Sequence, residues 1–74
     1  MFQQTQVHDM STSILRLPAV QARTGLSRSS IYAKLNRQEF PAPVKLSARA
    51  VGWTSDSIDK WIEERVRASE GEAA

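Results

Sequence analysis

The apolar positions of this chain change their spacing along its length, and each change marks an element. After Ile14-Leu15, Leu17 and Val20 lie three apart, with Ala22 or Leu26 in reach to pack against them and Gln21 and Arg23 left to water; this is helical spacing. Pro18 suits the first turn of that helix, since its φ is already helical and the N–H it lacks would have no partner there. A helix over 18–24 is too short to stand alone, so packing must hold it. Ile31 and Leu35, four apart, predict a second helix over 28–37, with Arg28, Ser29, Tyr32 and Asn36 on the faces turned outward. Val44-Lys45-Leu46 and Val51-Gly52-Trp53 are short β-rich runs on either side of Ser47-Ala48-Arg49-Ala50, which predicts a hairpin with a four-residue loop. Val44 and Leu46 are expected on one side of it, Lys45 on the solvent side and Arg49 at the tip. Ile58, Trp61, Ile62 and Val66 return to helical spacing and supply a last helix that closes the core.

The residues between these runs agree with them. Gly25 can take the left-handed conformation that ends a helix, and Ser27 can then accept from the free N–H of residue 29 or 30. Two helices therefore meet across a very short turn. Prolines at 41 and 43 forbid helix and favour an extended path, with Phe40 expected as a core plug beside them. Gly52 permits a close backbone approach, and Trp53 is expected to cover the core. Thr54 or Ser55 should cap the last helix, with Asp56 and Asp59 near its positive end and Arg65 and Arg67 near its negative one. The expected fold is mainly α with a small β-hairpin, a winged helix-turn-helix over 14–67. It is flanked by a disordered tail over 1–13 and a frayed tail over 68–74, both polar and without a period.

Composition narrows the class. Seventy-four residues make one small domain, too small for an elaborate catalytic cavity. With no cysteine and a single histidine, His8, neither a disulfide framework nor a metal centre is expected, and no cofactor. Asp56 with Asp59 and Glu63 with Glu64 have no accompanying nucleophile, base partner or phosphate loop, so the chain is not expected to be an enzyme or to take a small-molecule substrate. No apolar run approaches membrane-spanning length, and a cytoplasmic protein is expected. Net charge is only +2, but it is unevenly distributed. Arg16, Arg23, Arg28, Lys34, Arg37, Lys45 and Arg49 face only Glu39 over 14–54, whereas acidic residues outnumber basic ones from Ser55 onward. Segregation by region fits an electrostatic footprint on phosphate.

The basic region coincides with the helix-turn-helix pattern, which implies double-stranded DNA as the partner. A helix-turn-helix lays its second helix in the major groove with the N-terminal residues at base edges, where Arg28 and Ser29 fall. Lys34 and Arg37 extend the basic character along the same helix, and Lys45 and Arg49 on the wing can meet the backbone or a narrow minor groove. The plainer reading is that Thr-Gly-Leu-Ser joins two packed helices and the charges are a solvated face.

Thr24-Gly25-Leu26-Ser27-Arg28-Ser29-Ser30-Ile31-Tyr32, followed by Phe-Pro-Ala-Pro-Val-Lys-Leu, Ala-Val-Gly-Trp and Ile-Asp-Lys-Trp-Ile, resembles the AlpA family of phage-type transcriptional regulators from Ile14 to about Arg67. That family is related to excisionase and MerR-type winged-helix domains. The resemblance implies a sequence-specific regulator of a prophage or integrative element. It puts Ser27, Arg28, Ser29, Ser30 and Tyr32 at the DNA-facing start of the recognition helix, and Lys45 and Arg49 on the wing. Thr54-Ser55-Asp56-Ser57 departs from the family pattern, where glutamates are common. Two alternatives stand beside this: an excisionase-type recombination directionality factor that bends DNA and self-associates or contacts an integrase on it, and a small protein-binding adaptor using Trp61, Tyr32 or the acidic last helix.

Overall fold

A computed structural model describes residues 12–73. His8 and the rest of 1–11 lie outside the described residues. The elements are β1 (Ile14–Leu15), α1 (Leu17–Thr24), α2 (Arg28–Asn36), β2 (Val44–Ser47), β3 (Ala50–Thr54) and α3 (Ser55–Ala73). Three helices thus accompany a small antiparallel sheet of order β1-β3-β2. Fully buried Val20, Ile31, Trp53 and Ile58, with Phe40, form the core, one contribution from each helix, one from β3 and one from the loop after α2. Leu15, Leu17, Leu26, Leu35, Trp61 and Ile62 pack around it.

Each of the first two helices ends on a left-handed residue. Gly25, at φ +75°, closes α1 and donates its N–H to the Gln21 carbonyl at 2.8 Å. At the end of α2, Gln38 has φ +60°. The N–H groups of Gln38 and Glu39 turn back to the carbonyls of Leu35 and Lys34 at 3.0 and 2.8 Å, the paired bonds of a Schellman motif. The helix therefore stops at Asn36, with Arg37 as its cap, before the prolines act.

The loop that follows is held by two indoles. Trp61 Nε1 donates to the Glu39 carbonyl at 3.0 Å and Trp53 Nε1 to that of Pro41 at 2.9 Å. Between them Phe40 meets both rings edge-on, at 5.0 Å from Trp61 and 6.2 Å from Trp53. Burial of the Phe40 ring and satisfaction of both indole donors are thus one arrangement.

The sheet differs from the expected lone hairpin. Ile14 and Leu15 pair with Thr54 and Trp53 as a third strand. Beside them the Ser13 N–H donates to Ser55 Oγ at 2.9 Å, the Ser55 N–H to the Ser13 carbonyl at 2.7 Å, and the Thr12 hydroxyl to Asp56 at 2.9 Å. Residues 12 and 13, assigned to the tail in the sequence reading, are bonded to the start of α3. The wing loop is also shorter than expected: Ser47 pairs with Ala50, leaving Ala48 and Arg49 as a two-residue turn, because the register shifts between Lys45 and Ser47. A bulge of this kind adds the twist that a turn without left-handed residues does not supply.

Gly52 explains how β1 can lie so close. A Cβ there would stand 2.6 Å from Ile14 Cγ2, 3.0 Å from the Leu15 carbonyl oxygen and 3.3 Å from Leu46 Cδ1. Val44, paired opposite Gly52, shares its face, which is the face away from Trp53; Val44 and Leu46 remain exposed there. Lys45, paired with Val51, lies on the Trp53 side instead and is exposed at the free edge, because the hairpin runs out past the limit of the core.

Thr54 caps α3, its hydroxyl accepting from the Ser57 N–H at 3.1 Å. This helix continues through Ala73, past the Arg67 at which the sequence reading ended the domain. Ala68, Glu70, Glu72 and Ala73 are good helix formers and Gly71 is the only weak position among them. The core ends earlier than the helix, so Val66, expected on the inward face, is half exposed. Ala22 is likewise exposed, and Leu26 is the neighbour that packs inward.

Candidate nucleic-acid interface

The turn between α1 and α2 is three residues, Gly25 to Ser27. The Thr24 hydroxyl stiffens it, donating to the Val20 carbonyl at 2.8 Å and accepting from the Leu26 N–H at 3.3 Å. Leu26 packs against the core below. Ser27 Oγ then accepts from the Ser30 N–H at 3.1 Å and donates to Ser30 Oγ at 3.0 Å. Of the residues assigned to the reading face, Ser27 and Ser30 are therefore engaged with each other in the cap, while Arg28, Ser29 and Tyr32 are exposed. Ile31, between them, is fully buried and holds the helix to the core.

Arg28 occupies the first helical position of α2, and the first turn contains no acidic residue. A cation there opposes the helix dipole, which favours negative charge by about 0.3–1 kcal/mol. Local stability would be served by aspartate or glutamate. The arginine instead makes the positive end of the helix more positive. Its guanidinium lies over the Tyr32 ring, 5.5 Å from the centroid.

The other basic residues divide by partner. Arg23 pairs with Asp59 at 2.8 Å, joining α1 to α3, and Arg37 pairs with Glu39 at 3.3 Å. Both pairs are exposed and contribute little to stability, but they offset two of the charges counted in the basic region. Among the described residues no carboxylate pairs with Arg16, Arg28, Lys34, Lys45 or Arg49. Arg49 stands in the wing turn and Lys45 on the neighbouring edge strand, both exposed. Lys34 is half-buried and sits elsewhere than Arg28, in an open groove of about 670 Å³ whose lining includes Phe40, Lys60, Trp61 and Arg65. The sequence does not single out this groove; its signal is the aromatic pair Phe40, expected as a core plug, and Trp61, expected on the core-closing face or, in the adaptor alternative, as an anchor.

Three of the four carboxylates weighed as acid/base pairs serve other contacts. Asp56 accepts from Thr12, Asp59 from Arg23, and Glu63 reaches Arg67 at 4.0 Å. Among the described residues no three histidine, aspartate or glutamate side chains gather in a metal-binding group, and no helix is long and apolar enough to cross a membrane.

Two helices across a tight turn, a capped and basic second helix and a β-wing define a winged helix-turn-helix. The chain belongs to the AlpA family: residues 13–66 match the family of the prophage CP4-57 regulatory protein (AlpA). It is 40% identical over 60 residues to the DNA-binding transcriptional activator AlpA of Escherichia coli (strain K12), an alignment covering 73% of this chain and 86% of that protein. It is also 38% identical over 52 residues to the uncharacterized protein ORF88 of Enterobacteria phage P4, covering 70% of this chain and 59% of that one. No solved structure matches the chain.

Proposed function

We propose that this protein is a sequence-specific DNA-binding transcriptional regulator of a prophage or integrative element, acting in the cytoplasm. In this reading α2 enters the major groove with Arg28 and Ser29 at base edges, and the wing carries Lys45 and Arg49 to the backbone or minor groove. The observation that carries it is Arg28 at the N-terminus of α2, with no carboxylate partner among the described residues, a placement that works against the helix dipole and gains value against an external acceptor. Membership of a family with a DNA-binding activator among its relatives supports the same conclusion. A single module of this size buries roughly 600–1,000 Å² on DNA, so tight binding would call for repeated sites or contacts between bound copies.

The test is binding of the purified protein to its own upstream DNA and to an unrelated duplex across a salt series. Clear preference for its own DNA, with affinity falling by several powers of salt concentration, is the expected result. No binding even at low salt would overturn the proposal and promote a protein-binding role.

A further inference from the structure

Tyr32 is exposed at 41% of its surface while its neighbours Ile31 and Leu35 face the core. A tyrosine left out of the core at the centre of a nine-residue helix needs a different use, and the DNA reading alone would make it one more surface contact. Its position suggests another. Side chains on a helix lean toward the N-terminus, so a ring at position 32 lies back over the turn that begins at 28. There it meets the Arg28 guanidinium at 5.5 Å from its centroid.

We infer that Tyr32 is a positioning residue: its ring is the platform that holds the Arg28 guanidinium ready to read a base, an inference that rests on the DNA-binding reading above. A guanidinium is a planar fork of N–H donors. An aromatic ring attracts it through the face of that plane, leaving the edge donors free. Those edge donors are what a guanine O6/N7 pair accepts. Unlike Arg23 and Arg37, which are turned to Asp59 and Glu39, Arg28 is restrained with no carboxylate among the described residues to offset its charge. Arg65 over Trp61, at 5.8 Å, has the same spacing of four on α3, but there the ring's N–H is bound to the loop and its body packs on the core. Of these two pairs among the described residues, the α2 pair is the one that stands on an exposed face.

The experiment compares wild type with Y32F, Y32A, R28A and the double variant R28A/Y32A, measuring affinity for the protein's own upstream duplex and for an unrelated one across a salt series. Thermal melts of each variant are recorded, together with the Arg28 side-chain N–H resonance of the free protein. Y32F should keep the wild-type preference, since it keeps the ring. Y32A should lose about three- to tenfold of the preference for its own duplex, with unchanged salt slope and melting temperature and with the ring-current shift of the Arg28 resonance gone. In the R28A background the same change should have no further effect, because there is nothing left to position. An unchanged preference in Y32A, a loss in Y32F as large as in Y32A, or an equal loss from Y32A with and without Arg28 would each overturn the inference while leaving the DNA reading intact. A wild type that shows the ring-current shift but binds neither duplex would remove the DNA reading, and this inference with it.

Discussion

The indole N–H of Trp53 donates to the carbonyl of Pro41 at 2.9 Å, and through that bond β3 holds down the loop that leaves α2. Trp53 is fully buried and its ring edge meets Phe40. Trp53→Phe would leave a cavity and free the Pro41 carbonyl, at a combined cost of about 2–4 kcal/mol. In a domain of this size the thermal midpoint should fall by about 10 °C or more, which a melt followed by circular dichroism would register. A change of only a degree or two would mean that this bond is not what secures the loop.

Gly52→Ala introduces a Cβ 2.6 Å from Ile14 Cγ2 and 3.0 Å from the Leu15 carbonyl. Overpacking of this kind costs about 1–3 kcal/mol, and the least defended element, the two-residue strand β1, should yield first. Adding Ile14→Ala removes the worse of the two contacts. The double variant should therefore be more stable than the sum of the two single losses, as measured by urea denaturation. Strict additivity would show that the two side chains do not compete for space.

Gln38 carries the left-handed φ that ends α2, +60°, where an L-residue is strained by about 1–2 kcal/mol and glycine is not. Gln38→Gly should raise the stability by about 1 kcal/mol after the extra chain entropy of glycine is offset. Comparison of urea midpoints at constant slope is the measurement. The DNA affinity should not change, since the residue lies past the end of α2.

Arg28→Glu separates stability from function. The substitution places a carboxylate at the positive end of α2, a gain of about 0.3–1 kcal/mol. The lost contact with the Tyr32 ring, about 0.5–1 kcal/mol at an exposed site, offsets it, so the stability should stay within about 1 kcal/mol of wild type. On the proposed function the same protein should lose its preference for its own DNA, an effect of about 1–3 kcal/mol for a lost bidentate base contact with charge repulsion added. Loss of equal size on every duplex would reassign Arg28 to a phosphate.

Ser27→Ala removes the acceptor for the Ser30 N–H and should cost about 0.5–2 kcal/mol in stability. Because Ser27 Oγ is occupied by Ser30, the effect on DNA binding should follow the loss of the cap and be small under conditions where the variant is fully folded. A loss of specificity in the folded variant would show that Ser27 touches a base after all.

Local chemistry made much of this protein legible from its residues. Pro18, Gly25 and Ser27 set the start and stop of two helices through φ preferences and a side-chain cap that act within four residues. The spacing of Ile31 with Leu35 and of Ile58 with Trp61 and Ile62 selected the inward faces. The segment from Thr24 to Tyr32, together with Phe-Pro-Ala-Pro-Val-Lys-Leu and Ala-Val-Gly-Trp, carried the family resemblance, and helical geometry alone put Arg28 at the head of a helix without coordinates.

Contacts between distant residues were decided by the tertiary structure. Ile14-Leu15 became a strand only because Gly52, nearly forty residues later in the chain, has no side chain to keep it away. The divided use of the arginines, with Arg23 turned to Asp59, Arg37 to Glu39 and Arg28 left to Tyr32, could not be read from a charge count, because pairing depends on which helix faces lie together. The same holds for Trp53 and Trp61. Their hydrophobic spacing placed them inside, but which carbonyls their N–H groups would meet was settled only when the loop over 39–41 folded between them.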